Sequence, residues 1–197
     1  MTRIDKSAKE TVAVGREEVD SALVQAGASL SEASTDDDDF RSLNEVRMVP
    51  SWLKGDTKMM KNYLRYLGYS ELVESASTMR LMQKMIQILR ICKFDTTDIG
   101  SVLAVAAVHH KIFLSKHVSA MSVTERTFIL LAQIYIAHCV VLDEYCSVTN
   151  WHKYLFASYC DLKSLNNAVA RILRKLDWNL HVRAEQVTEL VNAIFSC

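Results

Sequence analysis

Two adjacent residue pairs carry the side chains best suited to chemistry, His109-His110 and His138-Cys139. Two histidines can share a metal, and a cysteine beside an imidazole is the pairing of a thiol nucleophile with its base. Both pairs sit inside apolar runs that read as helices, where neighbouring side chains diverge by about 100°. Neither pair is therefore expected to converge on one ligand or one substrate atom. No Cys/His spacing of the zinc type accompanies them. There is no GxGxxG, no phosphate-binding loop, no GxSxG and no cluster of carboxylates able to hold a metal. The expectation is a chain that is not an enzyme, with no catalytic residues, no metal, no cofactor and no small-molecule ligand.

The five cysteines, at 92, 139, 146, 160 and 197, show no CxxC spacing and fall mostly within apolar helical patterns. A free thiol in such a setting behaves as a small hydrophobe, so reduced core cysteines of an intracellular protein, nuclear or cytoplasmic, are expected. Ser34 and Thr35 each precede an aspartate by three residues. That acidic setting suits an acidophilic kinase, although a charge run is more commonly just solubilising.

The elements that position these residues must be helices. In 197 residues there are five Gly and one Pro, too few turn formers for a many-stranded fold. Half of the residues are hydrophobic, enough for one domain with a proper core. The longest apolar stretch, Phe128 to Leu142, is interrupted by Gln133 and His138 and falls short of the ~20 residues of a bilayer span, so no membrane is expected. The N-terminal residues lack the apolar core of a secretory signal. Net charge is zero, but residues 1–40 carry four basic and ten acidic side chains, leaving that segment at −6 and the rest at +6. Lys and Arg are scattered through the second part, and nucleic-acid binding is not expected.

Residues 1–44 are polar, end in Asp36-Asp37-Asp38-Asp39, and cannot bury enough surface to offset the entropy of ordering, so they are assigned as a disordered acidic tail whose removal should leave the fold intact. A helical extension follows over 45–71, with Met59, Met60, Tyr63, Leu64 and Leu67 at helical spacing and Gly68 as its stop. Five helices are then expected. The first runs from about Ser77 to Lys93, with polar residues Arg80, Gln83, Lys84, Gln87 and Arg90 in one stripe. The second starts after Asp95-Thr96-Thr97 and runs to Ser115. The third opens on a capping box at Ser122 and Glu125 and reaches Leu142. The fourth is short, from Thr149 or Asn150 to about Phe156, with Trp151, Tyr154 and Leu155 on one side. The fifth is capped by Asp161 and carries Leu162, Leu165, Val169, Ile172, Leu173 and Leu176. A last amphipathic helix spans Ala184 to Phe195.

Five helices with an all-apolar third, a short fourth bearing a tryptophan and a fifth ending in Leu176-Asp177-Trp178-Asn179-Leu180-His181-Val182 resemble the cyclin box. The match runs from Ser77 to Val182 within a box bounded at 72–182, with 183–197 left as a C-terminal helix. Its most specific part is Leu165-Asn166, Leu173, Leu176 and the Leu-x-Trp-x-Leu-x-Val ending. Phe128-Ile129-Leu130-Leu131-Ala132 ahead of Asp143, and Asn150-Trp151-His152-Lys153-Tyr154 beyond it, resemble the fungal and protist cyclins that partner the phosphate-sensing cyclin-dependent kinase. The expected fold is all-α, a single five-helix cyclin box with an extra N-terminal helix and a short C-terminal one. Burial of the Trp178 ring, on the order of 200 Å², would contribute up to ~5 kcal/mol and lock the fifth helix into the bundle.

The resemblance implies a regulatory subunit that forms a heterodimer with a cyclin-dependent protein kinase and activates or targets it. A kinase helix would pack on the exposed ends of helices three and five, near Cys139, Val140, Leu142, Asp143, Glu144 and Val169. Many kinase-binding cyclins place a lysine and a glutamate at the positions held here by Cys139 and Val169. Joint replacement of a charged pair by apolar groups can be nearly neutral, whereas loss of one member strands a charge. The same departure supports a second class, a cyclin-fold adaptor or transcription-related factor that does not bind a kinase in the usual way. On either reading Val169→Asp is expected to weaken folding or partner binding.

Overall fold

A computed structural model describes residues 52–116, 120–142 and 146–196 of the chain. The acidic segment 1–44, with Ser34 and Thr35, lies outside the described residues, as do Asp143 and Glu144. Among the described residues all regular structure is helical, as expected for an all-α chain: α1 (Trp52–Tyr66), α2 (Ser70–Glu74), α3 (Ala76–Ile91), α4 (Thr96–Ser115), α5 (Val123–Val141), α6 (Val148–Trp151, continued by a π-helical turn over His152–Phe156), α7 (Leu162–Lys175) and α8 (Ala184–Ser196).

The starts follow side-chain capping. Ser75, Asp95, Ser122, Ser147 and Asp161 each accept a hydrogen bond from the backbone N–H three residues on, and Asp95/Asp98 and Ser122/Glu125 form reciprocal capping boxes. Three ends share the Schellman pattern of two reversed backbone bonds. Tyr69 N–H bonds to Leu64 O and Gly68 N–H to Arg65 O; Phe94 bonds to Leu89 and Lys93 to Arg90; Trp178 bonds to Leu173 and Asp177 to Arg174. Only the first uses glycine for its left-handed residue, whereas Lys93, at φ 66°, and Asp177, at φ 53°, bear the Cβ penalty there.

Helix α5 divides the core. Its Leu130, Leu131, Ile134 and Ala137 pack into the larger cluster with α1, α3, α4 and α6, while Ile129, Ala132 and Ile136 meet Phe113, Ile172 and Leu176 in a second. A helix used on both sides must be apolar nearly all round, which explains the lack of a polar stripe. α4 packs most extensively on α5 and is covered on another side by α8. It is long and apolar enough to cross a membrane by length and composition, but its side chains from Ile99 to Phe113 are largely enclosed by neighbouring helices. At Gly100 an added Cβ would come within 2.6 Å of the Phe195 ring of α8, so a side chain larger than hydrogen would force that ring to shift.

Two expectations about aromatic residues are corrected. Trp178 does not lock the fifth helix: it is 63% exposed. Left-handed backbone at both Asp177 and Trp178 (φ 53° and 58°) turns the chain as α7 ends and carries the ring outward. Trp151, by contrast, is fully buried. In the same stretch Tyr154 is exposed and Phe156 is buried instead. The π-turn, closed by Ala157 N–H to His152 O at 2.7 Å, widens the spacing so that Trp151, Leu155 and Phe156 share the inner face.

The expectation of reduced core cysteines is also corrected at two positions. Cys92, just past α3, and Cys146, just before α6, are joined in a disulfide across 54 positions of sequence, while Cys139 and Cys160 are free. Arg90, read from sequence as part of the polar stripe, pairs through two nitrogens with the buried Asp56 of α1 at 2.7 and 3.3 Å, and bonds Phe94 O and Thr96 Oγ1. That one guanidinium ties together α1, the end of α3 and the start of α4.

Candidate protein-docking site

The C-terminal end of α5 is where the enclosed helix emerges. Val140 is 45% exposed and Cys139 is exposed beside it, while Val141 and Leu142 are half-buried. The T-shaped contact of Phe94 with His138, ring centroids 5.5 Å apart, sets the end of α3 against the end of α5. Ile91, 65% exposed on the last turn of α3, therefore belongs to the same end of the bundle. Sequence reasoning did not single out Ile91. The signal available was its position as a large apolar residue directly beside the polar stripe residues Gln87 and Arg90.

Val169 lies on α7, half-buried, and packs against both core clusters. It is a seam residue between α5 and α7, packed with the cluster of Ile129, Ala132, Ile136 and Ile172. Of the six residues anticipated at the contact, Cys139 and Val140 lie on the last turn of α5, Leu142 caps it, and Val169 sits on the neighbouring helix that packs on α5. Asp143 and Glu144 lie outside the described residues.

His138 supports this end from within. Its ring is fully buried among Phe94, Tyr135 and Trp151, and that desolvation pushes its pKa down to about 4. The Cys139 sulfur lies 3.9 Å from His138 Nδ1. Partial burial raises the thiol, opposed by a hydrogen bond with Tyr135. Both shifts favour the neutral forms, the reverse of the thiolate and imidazolium that an activated cysteine requires.

His109 and His110 diverge as their adjacency requires. His109 Nε2–H donates to Leu180 O at 3.1 Å, fastening α4 to the segment after α7. His110 Nδ1 is 2.6 Å from Gln133 Oε1, an acceptor, so Nδ1 carries the proton and Nε2 accepts from the Tyr69 hydroxyl at 2.7 Å. Burial lowers both histidines, and the Tyr69–His110–Gln133 chain links polar groups across the core between α2, α4 and α5. Among the described residues no group of three His, Cys, Asp or Glu side chains is arranged to hold a metal.

No family model, no curated protein and no solved structure matches the chain.

Proposed function

We propose that this chain is a cyclin-like regulatory subunit, with a single cyclin box over residues 72–182, that binds a cyclin-dependent protein kinase and activates or targets it inside the cell. The observation that carries the reading is the end of α5. A helix enclosed along most of its length leaves Cys139 and Val140 exposed at the point where the resemblance calls for a kinase contact. Two further features support it: the helix order from α3 to α7, and the packing of Leu173 together with Leu176 and Leu180 of the Leu-x-Trp-x-Leu-x-Val ending.

Binding of a kinase helix over Val140, Leu142 and Ile91 would bury apolar surface at the bundle end. The kinase population then shifts towards the state with its active-site helix correctly placed, and the cyclin-like chain does no chemistry. The absence of a lysine at 139 and a glutamate at 169 makes this contact apolar in character. It therefore suits a kinase that presents no unpaired charge there. The same two residues favour a second reading, an adaptor of cyclin fold that engages a non-kinase protein through the same end.

Reconstitution with a panel of purified cyclin-dependent kinases tests the first reading. Addition of the chain is expected to raise phosphoryl transfer by at least one of them, and Val140→Asp, at an exposed position, is expected to weaken that effect at least tenfold, about 1.4 kcal/mol, without loss of folding. Stimulation unchanged by Val140→Asp would move the contact elsewhere, and no stimulation of any kinase would favour the adaptor.

A further inference from the structure

The outer face of α1 carries positive charge that nothing in the described fold answers. Lys58, Lys61 and Arg65 recur at steps of three and four, and Lys54 stands one step earlier in the same register. At 100° per residue the four positions lie within about 60° of one line along the helix. That line is opposite the buried face of Asp56, Met59, Met60, Tyr63 and Leu64. Lys58 and Arg65 are exposed and Lys61 is half-buried, and the ion pairs among the described residues engage none of them. The one acid on the helix, Asp56, is turned inward to Arg90. Like charges three and four apart oppose helix formation, so the stripe weighs against α1 unless anions lie along it.

The chain itself contains such anions. Residues 1–40 carry the −6 that balances the +6 of the remainder, and four of the acids are consecutive, Asp36 to Asp39. Residues 40–51 join that run to the first turn of α1. Twelve residues reach up to ~40 Å when extended, and the stripe from Lys54 to Arg65 is about 17 Å long. The run can therefore reach any part of the stripe. A connection this short gives an effective concentration in the millimolar range, at which several weak ion pairs act together.

We propose that the Asp36–Asp39 run docks on the Lys54–Lys58–Lys61–Arg65 stripe of its own chain, covering the positive face of α1. The inference stands apart from the kinase reading, since it uses neither α5 nor α7. An acidic partner would gain the stripe only by displacing the segment, and phosphate added at Ser34 or Thr35 would strengthen the contact by adding charge beside the run.

Zero-length carbodiimide coupling of the dilute full chain, read by mass spectrometry, tests this because it joins a carboxylate to a lysine amine only where they touch. Coupling of Asp36–Asp39 to Lys58 or Lys61 is expected at about fivefold or more the yield at the exposed Lys153 and Lys163. It should occur within single chains when isotopically light and heavy chains are mixed. Lys54→Glu combined with Arg65→Glu leaves both coupling amines in place and should lower the yield about threefold or more, as should about 1 M salt on the unaltered chain. Yields no higher at Lys58 and Lys61 than at Lys153 and Lys163, links between two chains, or a yield indifferent to salt would each overturn the proposal.

Discussion

At the scale of single residues, burial decides what the reactive side chains can do. His138 is held neutral among three aromatic rings, with its pKa near 4 rather than the ordinary 6.5. The unfolded chain takes up a proton as pH falls through 6.5, and the folded chain resists until about 4. Stability is therefore whole above pH 6.5 and declines as pH falls towards 4, by up to about 3 kcal/mol from this one group. His109 and His110 are lowered by the same cause and add in the same direction. Urea titrations from pH 7.5 to 4.5 should show this fall, and His138→Leu should make it visibly shallower; an unchanged slope would contradict the assignment. The tryptophans give a second contrast. Trp151→Ala should cost about 3–5 kcal/mol, as for a large core side chain, while Trp178→Ala should stay within about 0.5 kcal/mol. Thermal or urea unfolding of the two variants would reveal whether the positions had been interchanged.

Elements are where the sequence was most readable and where its limits are clearest. Capping boxes at Asp95/Asp98 and Ser122/Glu125, and the cap at Asp161, are local signals, and the helices begin where those signals stand. The polar stripe of α3 misled at one position, because Arg90 belongs to the stripe by spacing yet finds its partner 34 residues upstream in Asp56. Long-range pairing leaves no trace in periodicity. The same holds for the Cys92–Cys146 disulfide, and for Trp178, whose outward turn depends on left-handed backbone at two residues that rarely adopt it. Leu142, Cys139 and Val140 were readable as the end of an apolar helix; that Ile91 is exposed at the same end of the bundle was not, since it needs the α3–α5 packing. Arg90→Ala is expected to cost about 3 kcal/mol or more, because it strands the buried Asp56 carboxylate. The double change Arg90→Met with Asp56→Leu should recover most of the loss, and a double variant as unstable as the single would show that the ion pair is not what binds α1 to α3.

At the scale of the whole molecule, two surfaces stand apart among the described residues: the apolar bundle end at Cys139 and Val140, with Ile91 exposed at the end of α3, and the basic face of α1. The first supports the regulatory reading, in which a helical scaffold with a divided core holds one contact surface rigid while the chemistry belongs to a partner. The measurement that tests that claim most directly is native purification of the full chain from its own cells, with quantitative identification of what is bound, run in parallel on the unaltered protein and on Val140→Asp. The account predicts a cyclin-dependent protein kinase in about one-to-one amount with the unaltered chain, and at least tenfold less with the variant. Stoichiometric recovery of other proteins with no protein kinase among them would contradict it.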